Sequence, residues 1–257
     1  MGFYSTKITD YGYKQKVSIY EKPIAYGDDS AKPVSNRQKH SNMCSEKQQE
    51  ADERRLRFYK RKVAELTDIA LMNPDLDAVI TLTFRESVTS YDHALAEWQC
   101  FLKRLRYYYK EHPLKYISIW EIQRKRSENE NITDGGIFHF HCLMNTGYIE
   151  HAKLEKIWGN GFVWIDSLKS ERQREKAVRY TLKYITKEIE ENAKTRGKRL
   201  IFTSNNLEKP SVSYLEEKLS KDDIIFENLE EMIRDGEYEI KNSRGTINHV
   251  EYVEYKK

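Results

Sequence analysis

The chain has 257 residues, of which 33% are charged and 39% are hydrophobic, and its formal net charge is +3. This length suits one domain of catalytic size with flanking segments, or two small domains. Aromatic residues reach 12%, so the chain can bury a core despite its polarity. The sequence contains no apolar run long enough for a membrane helix and no secretory signal at its start, which predicts a cytoplasmic protein. Its 3 widely spaced cysteines predict reduced thiols.

Polar segments flank the region with the clearest structural pattern. Residues 1–50 are rich in Lys, Ser, Asn and Gln and are expected to form a loosely ordered arm. Residues 51–76 predict a basic amphipathic helix, because apolar side chains recur at helical spacing up to Met72 and Asn73-Pro74 breaks the pattern. Residues 213–257 form an acidic C-terminal appendage, either a helical contact for a host protein or a solubilising tail.

Strand and helix patterns alternate between residues 77 and 212. Strands are predicted at Ala78–Phe84, Lys115–Gln123, Ile137–Met144 and Phe162–Ile165, and helices at Ser90–His112, Glu150–Ile157 and Ser170–Ala193. Ser90 can serve as the N-cap of the first of these helices. Trp158, Phe162 and Trp164 are expected in the core, with base stacking by one of them as the alternative. Ser127–Gly136 is expected to be a long hairpin loop. The order β-α-β-β-α-β-α predicts an α+β fold, with a ferredoxin-like or RRM-like antiparallel sheet and helices packed on one of its faces.

A basic and aromatic stretch runs from Phe101 to Arg126. Its Lys and Arg residues far outnumber its acids and alternate with tyrosines and Trp120. This mixture suits a phosphate backbone with stacked bases. A solvated helix face explains the charge equally well, so both interpretations stay open.

The sequence His139-Phe140-His141 is the first cluster with chemical meaning. Alternate side chains of a strand share one face, so the two imidazoles lie side by side while Phe140 enters the core. A divalent cation would need a third ligand, and Glu121 on the neighbouring predicted strand is a candidate. Two imidazoles and a carboxylate suit Mg²⁺, Mn²⁺ or Zn²⁺. Exposed histidines on a half-buried strand are the alternative.

Tyr180 and Tyr184 form the second cluster, four residues apart on the last predicted helix. Side chains at this spacing share a helix face, and Lys183 and Lys187 lie beside them. A phenol with a pKa of about 10 is a weak nucleophile, but nearby cations favour the phenolate and bind phosphate. A tyrosine pair used only for helix packing is the alternative.

Three motifs follow one another along the chain: Thr81-Leu-Thr-Phe84, the His-Phe-His strand and the Tyr-x-x-Lys-Tyr-x-x-Lys helix. Their order and spacing resemble the motifs of rolling-circle replication initiators of the HUH endonuclease superfamily. The chain is similar to the two-tyrosine initiators of small single-stranded-DNA phages and plasmids. The resemblance covers about Ala78 to Pro210, and the long Ser127–Gly136 segment departs from it.

The resemblance implies an HUH endonuclease domain at residues 77–212 and a role for each motif. His139, His141 and Glu121 would bind Mg²⁺ or Mn²⁺. Tyr184 would be the first nucleophile and Tyr180 the second, with Lys183 at the catalytic centre. DNA phosphates would be contacted by Arg85, Arg124 and Lys187.

The activity implied by the resemblance is initiation of rolling-circle replication. The enzyme would nick and rejoin single-stranded or hairpin origin DNA through a 5′-phosphotyrosine, in the cytoplasm of a bacterial host. No Gly-x-x-x-x-Gly-Lys-Ser/Thr loop occurs in the sequence, so ATP is not expected to be used and a host helicase would unwind the DNA for a host polymerase. A relaxase or single-strand transposase with the same chemistry is one alternative, and a non-catalytic module that binds single-stranded nucleic acid is another.

Overall fold

A computed structural model describes residues 2–26, 45–110, 112–132, 136–170, 172–181, 198–242 and 245–257. The chain divides into two compact units. The terminal unit consists of Met1–Gln38 and Lys209–Lys257, and the central unit consists of Lys39–Glu208. Each unit contains a five-stranded antiparallel sheet. In the described ranges no helix is both long enough and apolar enough to cross a bilayer.

The described elements alternate along the chain. The strands are β1 (Gly2–Asp10), β2 (Lys14–Tyr26), β3 (Ala78–Phe84), β4 (Tyr116–Ile122), β5 (Phe138–Met144), β6 (Gly161–Ser167), β7 (Ile201–Thr203), β8 (Ser211–Leu215), β9 (Met232–Asn242) and β10 (Gly245–Lys256). The helices are α1 (Ser45–Met72), α2 (Tyr91–Tyr108), α3 (Arg124–Asn129), α4 (His151–Trp158), α5 (residues 172–181) and α6 (Lys221–Glu227).

The terminal unit corrects two expectations from the sequence. Residues 1–50 include a β1–β2 hairpin rather than only a loosely ordered arm, and residues 213–257 include β9 and β10. The five strands are ordered β8-β1-β2-β10-β9. Val17, Ile19 and Val253 are buried in this sheet, but charged residues near them in sequence, such as Lys16 and Glu254, mask this apolar set. Strands from opposite ends of the chain complete each other's hydrogen bonds.

Charged side chains are buried in the terminal unit. Lys14 is 2% exposed and Glu254 is 3% exposed. One carboxylate oxygen of Glu254 lies 3.0 Å from Arg234 Nη2 and 3.8 Å from Lys16 Nζ, and the other lies 3.8 Å from Lys14 Nζ. Removal from water is costly for each charge, so this sheet depends on their mutual compensation.

The central sheet has the order β6-β3-β5-β4-β7. Strands β3, β4, β5 and β6 have the arrangement of a ferredoxin-like βαββαβ unit. In that unit the first and third strands in the chain, here β3 and β5, lie in the middle of the sheet. The α+β, ferredoxin-like class predicted from the sequence is therefore confirmed. The short β7 was not predicted, and it extends the sheet at the β4 edge.

Helices α2 and α4 cover one face of this sheet. Ser90 accepts a hydrogen bond from His93 N and caps α2, as the sequence predicts. Trp98 of α2 stacks on Phe140 of β5, with ring centroids 5.2 Å apart and planes at 18°. The rings of Phe101 and Trp158 join α2 to α4 at 5.6 Å. Because Phe140 faces these helices, its neighbours on β5 project from the opposite face.

The connection between β4 and β5 differs from the prediction. Part of the expected hairpin loop is the short helix α3. The Ser127 hydroxyl donates to Gln123 O at 2.7 Å and accepts from Ile137 N at 2.9 Å. This one side chain ties the helix to the start of the third strand, a local arrangement that hydrophobic periodicity does not reveal.

Candidate metal centre

Strand register brings the two predicted histidines and the glutamate together. β5 lies between β3 and β4, and His139 is directly opposite Glu121 across the β4–β5 pair. His141 is two residues further along β5 and therefore lies on the same face. The sequence predicted this pairing from the hairpin order.

The three side chains converge on one point. Glu121 Oε2 lies 3.0 Å from Nε2 of His139 and 3.0 Å from Nε2 of His141. One ligand atom from each residue falls within 4.8 Å of the others, and the His139 and His141 rings are 4.5 Å apart. A carboxylate oxygen and two imidazole nitrogens form a donor set that suits a divalent cation such as Mg²⁺, Mn²⁺ or Zn²⁺. The cluster therefore fits a divalent cation.

Electrostatics at the cluster favour the protonation states that a cation needs. Burial by itself raises the pKa of the Glu121 carboxyl, but hydrogen bonds and charge from His139 and His141 outweigh burial and lower that pKa to about 2. Burial also lowers the pKa of His139, against the opposing effect of Glu121. The carboxylate is thus ionised and the His139 imidazole tends to be neutral near pH 7, as metal ligands must be.

Thr81 of β3 contacts the ring nitrogen of His141 that faces away from Glu121. Its Oγ1 lies 3.1 Å from Nδ1 of His141. When Nε2 of His141 faces a cation, Nδ1 bears the proton and donates to Thr81 Oγ1. The hydroxyl then fixes both the tautomer and the ring orientation. The sequence placed Thr81 in a motif but assigned it no role.

The remaining predicted site residues have different outcomes. Arg85 follows β3 and is exposed, two residues beyond Thr83, which pairs with His139. Arg124 begins α3 and is half-buried. Tyr180 lies on α5 and is 60% exposed. The other three predicted residues, Tyr184, Lys183 and Lys187, lie outside the described residues.

Two aromatic residues lie on the same face as the cluster, although the sequence favoured the core for both and gave base stacking only as the alternative. Phe162 and Trp164 of β6 were expected to lie in the core, but they are 63% and 66% exposed. In the β3–β6 ladder they pair with Thr83 and Thr81, which pair in turn with His139 and His141 of β5. The two aromatic residues therefore lie on the same face of the sheet as the metal cluster. Alternation around the buried Val163 was the available signal, but it does not tell which set faces inward.

The basic stretch from Phe101 to Arg126 does not form one surface. Its first cations lie on α2, on the helical side of the sheet. Lys115 forms ion pairs with Asp75 and Glu208. Arg126 donates to the carbonyl oxygens of Phe84 at 2.5 Å and Arg85 at 2.7 Å, which anchors α3 to the end of β3. Charge that is continuous in sequence is therefore divided in space.

Comparison with known proteins gives one match. The family model described as "Replication-associated protein ORF2/G2P" matches residues 77–189, a stretch that runs from the start of β3 through α5 and contains the whole metal cluster. Among curated proteins and solved structures, none matches the chain. The match is consistent with a rolling-circle replication initiator. Over residues 77–189, the chain is therefore similar to the replication-associated protein ORF2/G2P family.

Proposed function

We propose that the protein initiates rolling-circle DNA replication by metal-dependent nicking and rejoining of single-stranded origin DNA. The observation that carries this proposal is the convergence of Glu121, His139 and His141 on one face of the sheet, inside the family-matched region. Two imidazoles that share one buried carboxylate oxygen have a desolvation cost that a purely structural sheet can avoid with apolar side chains. The same arrangement is useful if a cation and a phosphate bind there.

The cluster would act as an electrostatic anchor for the scissile phosphate. A divalent cation, when bound, supplies charge that polarises a non-bridging phosphate oxygen and offsets the negative charge of the transition state. Glu121, His139 and His141 would hold it, and Thr81 would orient His141. Arg85 and Arg124, together with Lys187, would bind neighbouring phosphates and position the strand.

Tyr184 and Tyr180 are proposed as the first and second nucleophiles. The phenolate oxygen attacks phosphorus, the bond from phosphorus to the 3′-oxygen breaks, and the leaving oxygen takes up a proton to give a 3′-hydroxyl. The phenol proton passes to solvent, and Lys183 favours the phenolate by its charge. The product is a 5′-phosphotyrosine, so one phosphoester replaces another and rejoining needs no ATP.

The consequences for replication follow from these products. The free 3′-hydroxyl would prime a host polymerase, and a host helicase would separate the strands. A second tyrosine would cut the regenerated origin while the first still holds DNA. Cleavage then ends in strand rejoining rather than in hydrolysis.

Phe162 and Trp164 are proposed to bind the bases of the substrate strand. β6 and β5 are separated by β3 alone, so the aromatic pair lies about 10 Å from the imidazoles at the usual spacing of strands. Exposed rings provide stacking surfaces for unpaired bases, worth about 1–3 kcal/mol per base. Bases buried in a duplex cannot reach them, which favours a single-stranded or hairpin origin.

Covalent capture of DNA tests the proposal. A labelled single-stranded origin oligonucleotide, incubated with the protein and Mn²⁺, should remain attached after denaturation. Tyr184→Phe should abolish first-strand attachment and Tyr180→Phe should mainly impair rejoining. Tyr148→Phe is the matched control, because Tyr148 is a 94% exposed tyrosine outside the motifs.

Metal-site and stacking variants separate binding from chemistry. His141→Ala should abolish the adduct and leave salt-sensitive DNA binding near normal. Trp164→Ala should weaken binding of single-stranded DNA, whereas Phe226→Ala, at another exposed aromatic, should not. Binding without any covalent adduct in the wild-type protein would instead identify a non-catalytic nucleic-acid-binding module.

A further inference from the structure

The helical side of the central unit has a groove that the proposed cleavage reaction does not use. α2 packs on β5 and α4 packs on β6, on the sheet face of Phe140. The groove lies between these two helices and has a volume of about 630 Å³. His139 and His141 project from the opposite face, so the groove and the metal cluster are separated by the thickness of the sheet.

Arg104 fixes the shape of this α2–α4 groove. Its Nε donates to Ile157 O at 2.7 Å and its Nη2 donates to Trp158 O at 2.7 Å. These carbonyls belong to the last turn of α4, where a cation is favourable. The guanidinium is thus a structural link between the helices. Ligand binding would rely on other cations of the groove.

Three lysines line the groove: Lys103 of α2, and Lys153 and Lys156 of α4. All three are exposed. Within the described ranges, none of them forms an ion pair with a carboxylate. Three uncompensated positive charges around one concave surface attract a polyanion.

Exposed tyrosines complete the lining. Tyr107 is 74% exposed and Tyr108 is 45% exposed. Lys153 Nζ lies 5.3 Å from the centroid of the Tyr108 ring, and Lys110 Nζ lies 4.6 Å from that of Tyr107. Cations next to aromatic rings are the combination that binds single-stranded nucleic acid, with phosphates on the cations and bases on the rings.

A merely solvated helix face would look different. α1 is also highly charged, but three of its cations pair with acids one turn away, as in Arg54 with Glu50 at 3.4 Å and Arg57 with Glu53 at 3.6 Å. By contrast, the sequence has no acidic residue between Glu97 and Glu111, which includes the second half of α2. Compensation one turn away is therefore missing from the part of α2 that lines the groove.

We propose that the α2–α4 groove binds a second stretch of single-stranded DNA, namely the strand that flanks the cleavage site. This inference rests on the proposed function, because it assumes that single-stranded DNA is the substrate. One face of the sheet would hold the scissile phosphate while the helical side holds the flank. The flank would then stay bound between cleavage and rejoining.

Binding of two oligonucleotide lengths tests the groove. Full-length protein is titrated with single strands of about 10 and about 30 nucleotides, since one binding site covers roughly 4–16 nucleotides. The double variant Lys153→Gln/Lys156→Gln should bind the long strand about tenfold more weakly and leave the short strand unchanged. Loss of two phosphate contacts should also make the salt dependence of long-strand binding less steep by about 1.4 in log–log slope.

Matched variants control for general loss of charge or of aromatic surface. Lys60→Gln/Arg61→Gln removes the same charge from exposed positions of α1 and should have little effect. Tyr107→Ala should weaken long-strand binding by about fivefold or more, whereas Tyr148→Ala should not. Three results would overturn the proposal that the groove binds DNA. They are unchanged long-strand binding in the groove variants, an equal loss of affinity for the short and long strands, and an equal loss of affinity in the α1 variant. Failure of the proposed function has a different signature, the absence of a covalent adduct in the wild-type protein.

Discussion

Removal of the Glu121 charge should abolish most of the stabilisation that Mn²⁺ confers. A ligand that binds only the folded state at about 100 times its Kd stabilises that state by about 2.7 kcal/mol. For a unit the size of Lys39–Glu208, each kcal/mol shifts the Tm by about 2–4 °C, so the wild-type protein should gain about 5–11 °C. Glu121→Gln keeps the shape of the side chain but removes the negative charge between His139 and His141.

The expected loss can be estimated from the geometry. Disruption of a residue that only supports a metal ligand costs about 10–100-fold in metal affinity, so loss of a direct ligand charge should cost about 100-fold or more. At the same Mn²⁺ concentration the variant would then gain only about 0.4 kcal/mol, or about 1–2 °C. Scanning calorimetry with and without Mn²⁺ measures the difference for each protein against its own metal-free baseline. Glu128→Gln, at an exposed acid of α3, is the control, and a full wild-type shift in Glu121→Gln would refute the assignment.

Three further predictions concern stability. Gly161→Ala should destabilise by about 1–3 kcal/mol in urea titrations, because its Cβ would lie 2.4 Å from Arg85 N and φ is +152°; Gly147→Ala, which meets no atom within 4 Å, should cost less. Glu254→Ala should cost about 3–5 kcal/mol, because it leaves buried Lys14 without its carboxylate, and a cost under about 1 kcal/mol would contradict that account. The stability that the lowered Glu121 pKa confers on metal-free protein is present above about pH 4.5 and is lost as pH falls toward 2, and the lowered pKa of His139 acts in the same direction below its ordinary value of 6.5, so urea titrations of metal-free protein should show a steady loss of stability from pH 6 to 3; a flat curve would contradict both pKa shifts.

The pattern of residues close in sequence was enough to predict much of the central unit. The predicted bounds of β3 match the structure, and the Ser90 cap of α2 is present, because both depend on residues close in sequence. The meeting of Glu121 with the histidines was also predictable. It requires only a period of two on each strand and the pairing of two strands that follow each other in the chain.

Other features depend on information that a local pattern lacks. Phe162 and Trp164 were assigned to the core because aromatic residues are usually buried, yet the inward-facing set of β6 is fixed by its pairing with β3. The terminal sheet was missed for a related reason. β10 pairs with β2 at Val253 and Val17, and such distant partners cannot be inferred from either segment alone. The placement of Tyr184 opposite the metal cluster stays a prediction.

The three proposed metal ligands come from two strands, so the candidate site forms only when these strands pair in the correct register. If β5 shifted by one residue, both imidazoles would point at the hydrophobic layer under α2. If β4 shifted instead, the Glu121 carboxylate would point away from the histidines. Under the proposed function, a misregistered chain would therefore lose cleavage altogether instead of cutting at reduced fidelity. Inactivity of every misfolded copy would then protect the DNA that encodes the protein from stray breaks.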